Sequence, residues 1–142
     1  LKSNIAFDKI IYLVIAISSL NLIKRDVLLP FLGKTVMPSS VIPLKKNKYQ
    51  SDTVKIHVKP NSKVVYWAAK KLDSDNHSVW KAYDDYSNSG VVMSDNNGVA
   101  ILKLQKGSGY IVPWGNKQIP PHVHYRYELK PGKFSRIETV KY

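Results

Sequence analysis

Asp52-Thr-Val-Lys-Ile-His-Val-Lys-Pro-Asn-Ser-Lys-Val-Val-Tyr-Trp-Ala-Ala69 is the stretch that decides the fold. Val54, Ile56 and Val58 alternate with Lys55, His57 and Lys59. That period of two buries one side of a strand and leaves the other in water. Pro60-Asn-Ser62 turns the chain, and residues 63–69 are dense in β-branched and aromatic side chains, as a buried strand requires. Downstream, residues 79–83, 91–93, 99–104, 110–114, 123–129 and 135–142 read as further strands. Between them stand Asp95-Asn-Asn-Gly98, Gly107-Ser-Gly109, Pro131-Gly132 and polar loops over 70–78, 84–90 and 115–121. Turn signals roughly every 8–12 residues, with no segment of helical period, predict an all-β fold, an antiparallel β-sandwich over residues 52–142.

Upstream the texture differs. Ile10-Ile-Tyr-Leu-Val-Ile-Ala-Ile-Ser-Ser-Leu-Asn-Leu-Ile23 carries no charge and no helix breaker, with Lys9 before it and Lys24-Arg25-Asp26 after it. Residues 1–25 therefore read as a hydrophobic N-terminal helix. Three uses compete: a membrane anchor, an element packed into a core or partner, and the apolar region of a signal peptide. The anchor is the leading expectation, with Ile10, Ile11, Leu13, Val14, Ile15, Ile17, Leu20, Leu22 and Ile23 facing lipid. Residues 26–51 read as an extended basic linker, broken by Pro30, Gly33, Pro38 and Pro43 and ending in Lys45-Lys-Asn-Lys48.

The formal net charge is +12, and Arg25, Arg126 and Arg136 are the arginines among the 22 basic residues. Lysine acts as a point charge, whereas base reading and bidentate phosphate clamps lean on arginine's planar fork. The charge thus suits general attraction to polyanions, and no specific nucleic-acid partner is expected. With no cysteine, disulfides, thiol nucleophiles and thiolate metal sites are excluded.

Pro121-His-Val-His-Tyr-Arg126 is where chemistry could reside. One intervening residue puts His122 and His124 on the same face of a strand, with Arg126 continuing that face and Val123 and Tyr125 opposite. Neutral imidazoles so placed form half of many metal sites. The bland alternative is equally concrete: Tyr110 packs at a corner, the histidines face solvent or a partner, and Arg126 pairs with Asp84 or Asp85.

The run from Asp95-Asn-Asn-Gly98 through residues 99–104, Gly109-Tyr-Ile-Val-Pro-Trp114 and Pro121-His-Val-His-Tyr-Arg126 resembles the C-terminal half of intradiol dioxygenases. Val79-Trp-Lys-Ala82 is similar to another strand of that family. The resemblance implies a transthyretin-like β-sandwich and a non-haem ferric ion. It implies Tyr110, His122 and His124 as ligands, with Tyr83 or Tyr86 as the fourth and Tyr83 the chosen one. The family's catalytic arginine, three residues before the first histidine, is Ile119 here. The site is accordingly expected to be vestigial, with no catalytic residue, no small-molecule substrate and no resident cofactor. Iron(III) would enter only if the chain were a dioxygenase acting on catechols.

The organisation as a whole, an apolar N-terminus, a basic linker and a small β-domain containing Tyr66-Trp-Ala-Ala69, resembles membrane-anchored minor capsid proteins of large double-stranded DNA viruses. That resemblance implies a structural virion component lying between an inner membrane and the capsid shell, with other capsid proteins as partners. The expected function is therefore structural, with the dioxygenase as its alternative.

Overall fold

The computed structural model describes residues 5–23, 35–112 and 116–142. Residues 26–34 of the expected linker and the Pro113-Trp114 corner lie outside the described residues. The elements are α1 (Ile5–Ile23), β1 (Thr35–Val36), a 3-10 turn (Ser39–Val41), β2 (Asp52–His57), β3 (Lys63–Ala68) and α2 (Val79–Tyr83). They continue with β4 (Ser89–Met93), β5 (Val99–Leu104), β6 (Tyr110–Val112), β7 (Lys117–Ile119), β8 (His122–Lys130), β9 (Lys133–Phe134) and β10 (Glu138–Lys141).

The named strands pair antiparallel. The largest sheet runs β1-β9-β8-β3-β4, with β10 also on β8, and β2-β5 and β6-β7 form two separate pairs. The alternation in the opening stretch sets the core. Ile56 of β2 and Ala100, Leu102 and Leu104 of β5 pack on Val64, Tyr66 and Ala68 of β3 and Val123 of β8. Burying a Leu or Val side chain contributes about 1.5–3 kcal/mol. The one polar atom that Tyr66 brings inward is satisfied, its hydroxyl donating to the Lys103 carbonyl at 2.7 Å.

Two expectations are corrected. The fold is not an all-β sandwich but a mixture of helix and antiparallel sheet, and the sheets do not close into a barrel. Residues 79–83, expected as a strand, form α2. Val79, Ala82 and Tyr83 turn inward while Trp80 and Lys81 are exposed, which is a helical spacing. The Ser78 hydroxyl caps the helix by accepting from the Lys81 amide.

The membrane anchor is corrected as well. Among the described residues no helix is long and apolar enough to cross a membrane. Asp8 and Lys9 sit inside α1, so its charge-free part covers roughly 21 Å against a hydrocarbon core of ~30 Å. The run Ile10, Ile11, Leu13, Val14, Ile15, Ile17, Leu20, Leu22 and Ile23 is simply the body of a 19-residue helix.

The later part of the linker lies along the β-domain. Lys45 exchanges both backbone hydrogen bonds with Val91, at 3.0 and 2.8 Å. The Lys63 ammonium donates to the carbonyls of Ser39 and Ile42 at 2.5 and 2.6 Å. Asn47 and Asn88, both buried, join through their side-chain amides at 3.0 Å.

Candidate metal centre

Alternation along β8 does what the sequence pattern requires. Val123, Tyr125 and Tyr127 point into the main core. His122 and His124 point the other way, their Nε2 atoms 3.0 Å apart. Arg126 Nη1 donates to the Ser135 carbonyl at 3.0 Å. Asp84 and Asp85, the expected partners of Arg126, both pair with Lys70, at 2.7 and 2.9 Å.

Two tyrosines arrive from elsewhere in the chain. Tyr83 is the last residue of α2, and Tyr110 opens β6, directly opposite Ile119 of β7. Gly109 fixes the approach to Tyr110, its amide donating to Asp75 Oδ1 at 2.6 Å. A second apolar cluster of Ala69, Ala82, Tyr83 and Tyr110, flanked by Trp67, Val79 and Ile119, holds both rings. Their phenol oxygens lie 3.4 Å apart. Tyr83 Oη is 3.3 Å and Tyr110 Oη 3.2 Å from His122 Nε2. Tyr83, Tyr110 and His122 are each no more than 7 % exposed. Tyr86, the other tyrosine considered, is exposed and lies tilted against Tyr83, with ring centroids 5.8 Å apart.

The protons can be counted. His122 Nδ1 lies 2.7 Å from the Pro120 carbonyl, which only accepts. The neutral ring therefore carries its proton on Nδ1, and Nε2 presents a single lone pair inward. Three groups converge on that lone pair: both phenols and His124 Nε2. One lone pair cannot accept from three donors at once; Tyr83 Oη donates instead to Tyr110 Oη at 3.4 Å, which leaves Tyr110 and His124 competing for His122 Nε2.

Burial pushes the Tyr83 hydroxyl well above its ordinary range, and its hydrogen bond with Tyr110 pushes it further. Burial also raises Tyr110, against an opposing hydrogen bond from Tyr83. His124 is lowered to about 4, first by burial and then by the neighbouring His122. A lowered value keeps the His124 imidazole neutral near pH 7, the form that ligates metals.

Tyr83, Tyr110 and His124 line an open cleft of about 440 Å³ together with Trp67, Val79, Tyr86, Ile137 and Thr139, with His122 behind them. Two partners of the histidines were not foreseen from the sequence. Pro120 supplies the carbonyl to His122, and Thr139 of β10 sits opposite His124 in register, its Oγ1 2.9 Å from Nδ1. Trp67 flanks His124 from β3, with ring centroids 5.7 Å apart. A carbonyl or hydroxyl on the outer nitrogen of each imidazole is the usual support of a metal-binding histidine.

The donor chemistry fits a metal ion. Ligand atoms about 2.1 Å from one ion, at angles between square and tetrahedral, stand roughly 3.0–3.4 Å from one another. Four of the six separations among these atoms, 3.0, 3.2, 3.3 and 3.4 Å, lie in that range, which overlaps that of ordinary hydrogen bonds. Among the described residues no group of three or more His, Cys, Asp or Glu side chains is placed to hold a metal. Any ion here would depend on the two phenols.

No family model matches the chain, and no curated protein or solved structure is found to be similar to it. The resemblances to intradiol dioxygenases of transthyretin-like fold and to viral minor capsid proteins are corrected by that result. With them fall the virion location, the capsid partners, the structural role built on them and the catechol dioxygenase alternative. The convergence of Tyr83, Tyr110, His122 and His124 rests on geometry alone, and it is what the structure offers in their place.

Proposed function

We propose that the protein binds a hard, highly charged metal ion, ferric iron, between Tyr83, Tyr110, His122 and His124. The observation that carries the reading is the crowding of both phenols and His124 Nε2 around the one lone pair of His122, at 3.3, 3.2 and 3.0 Å. A cation would replace that competition for one lone pair with four ligand atoms directed at a single charge. The phenols lose their protons to become oxygen ligands, and the two imidazoles offer nitrogen lone pairs. Phenolate oxygen is a hard donor and imidazole suits iron, so the mixed set favours Fe³⁺ over the softer ions that thiolates select. Loading releases the two phenol protons to solvent. The positive charge of the ion offsets the burial that otherwise holds both phenols protonated.

The site reads as a binding centre without catalysis. Apart from Thr139, the cleft walls around it are aromatic and aliphatic. Position 119, three residues before His122, holds an isoleucine packed among apolar neighbours, so it lends no charge to a bound anion.

The test is titration of metal-free protein with a soluble ferric chelate, followed by visible absorption and elemental analysis. The expected result is one iron per chain and a coloured tyrosinate-to-iron charge-transfer band. A protein that stays colourless and retains no iron after gel filtration overturns the reading.

A further inference from the structure

We infer that Thr139 is a positioning residue for His124, whose hydroxyl serves both tautomers of that ring and so lets the site load without rearranging its heavy atoms. The inference rests on the metal-site reading above and concerns what the loaded and unloaded sites each require of one hydrogen bond.

Consider the site without metal. His122 commits its proton to Nδ1, against the Pro120 carbonyl 2.7 Å away. His122 Nε2 and His124 Nε2 are 3.0 Å apart, and two lone pairs at that distance repel. With both rings neutral, the proton between them belongs to His124, on Nε2. His124 Nδ1 is then an acceptor, and Thr139 Oγ1, 2.9 Å away, donates to it.

Metal binding demands the opposite. Both Nε2 lone pairs must face the ion, so His124 must carry its proton on Nδ1. A proton leaves Nε2 for solvent and another is taken up at Nδ1, so the ring's charge and proton count are unchanged. Thr139 Oγ1 now accepts from Nδ1–H. A hydroxyl can both donate and accept, and it rotates to suit. A backbone carbonyl, such as the one that fixes His122, could serve the loaded state alone. The two histidines thus have different partners for a physical reason. One is locked in the ligating tautomer, and the other is free to switch. The strand register makes this possible, because Thr139 stands directly across from His124 in the β8–β10 pair.

The experiment combines ¹⁵N-histidine NMR with metal titration of the full chain. Ga³⁺ serves as a diamagnetic probe of the same charge, and Fe³⁺ as the chromophoric one. In metal-free protein His124 is expected to show its proton on Nε2, and with one equivalent of Ga³⁺ on Nδ1. Thr139→Val is expected to weaken Fe³⁺ about 10-fold or more, the usual loss when the outer partner of a ligating histidine is removed. Thr139→Ser should restore binding to within about threefold of the parent, and the thermal midpoint of metal-free Thr139→Val checks that it folds. Two results overturn the inference while leaving the metal site standing: the Nδ1–H tautomer already present in metal-free protein, or wild-type affinity in Thr139→Val. Failure of the parent chain to bind either ion overturns the metal reading itself.

Discussion

His122 Nδ1 donates to the carbonyl of Pro120 at 2.7 Å, and that hydrogen bond decides which nitrogen of His122 faces Tyr83 and Tyr110. The ring is fixed by a backbone group two residues away, so its inward lone pair is a property of local chain geometry. Everything proposed for the site starts from that lone pair and the donors crowded on it.

Tyr83→Phe and Tyr110→Phe should separate the site from the scaffold. Each removes one hydroxyl and leaves the ring and its packing in place, so the metal-free protein should lose about 1 kcal/mol, the net worth of one ordinary hydrogen bond. Ferric binding should weaken by at least about 100-fold in each, with the visible band diminished or shifted. Urea denaturation of metal-free protein and ferric titration measure the two effects separately.

The pH dependence of metal-free stability has a determined sign. Folding lowers His124 to about 4 from its ordinary value near 6.5, through burial and the adjacent His122. Between those values the unfolded chain binds the proton more readily than the folded one, so stability rises with pH across the window. The contribution is complete above about pH 6.5 and is lost progressively as pH falls through about 4. His124→Gln should flatten this part of a plot of unfolding midpoint against pH. An unchanged slope would mean that His124 is not the group responsible.

Asn88 ties the linker to the sheet. Its amide donates to the carbonyls of Ala69 and Gln105 at 2.8 and 2.7 Å and accepts from Asn47 Nδ2 and the Gln105 amide at 3.0 and 3.1 Å. With Asn88 fully buried, Asn88→Ala leaves several polar groups without partners, at about 1–3 kcal/mol for each that water cannot reach. A loss of at least about 2 kcal/mol is expected in chemical denaturation. A loss below about 0.5 kcal/mol would show that water replaces the amide.

Gly98 closes the turn between β4 and β5 at φ +80°, and a Cβ there would run into the Val58 carbonyl. Gly98→Ala should cost about 1–3 kcal/mol, from the left-handed backbone together with the displaced neighbour. Leu102→Ala, in the main core, should cost about 2–5 kcal/mol through lost burial and the cavity left behind. Both losses are read from denaturation midpoints.

The longer strands β2, β3, β5 and β8 and the pairing of His122 with His124 on one face were legible because alternation survives in sequence whatever the tertiary setting, whereas β1, β7 and β9, two or three residues each, fell in segments read as linker, loop or turn. Residues 79–83 were not. Five residues hold little more than one helical turn, too short for period alone to separate helix from strand, and valine with two aromatics biased the reading toward strand. Which of Tyr83 and Tyr86 lies beside His122 is likewise visible only in space. The helix end aims Tyr83 inward, whereas Tyr86, at φ +53°, is exposed. Pro120 and Thr139 act through a backbone carbonyl and a cross-strand register, neither of which leaves a mark in side-chain spacing. The anchor expectation rested on the apolar composition of residues 10–23, a charge-free run already too short at roughly 21 Å to match a ~30 Å hydrocarbon core.

The most direct measurement of the central claim is the visible spectrum of metal-free protein taken through one equivalent of ferric chelate, alongside the Tyr83→Phe/Tyr110→Phe double variant. A charge-transfer band that saturates at one iron per chain in the parent and is absent from the double variant is the predicted result. A parent chain that gives no band, or a band of equal strength in the double variant, would contradict the claim that these phenols hold a metal.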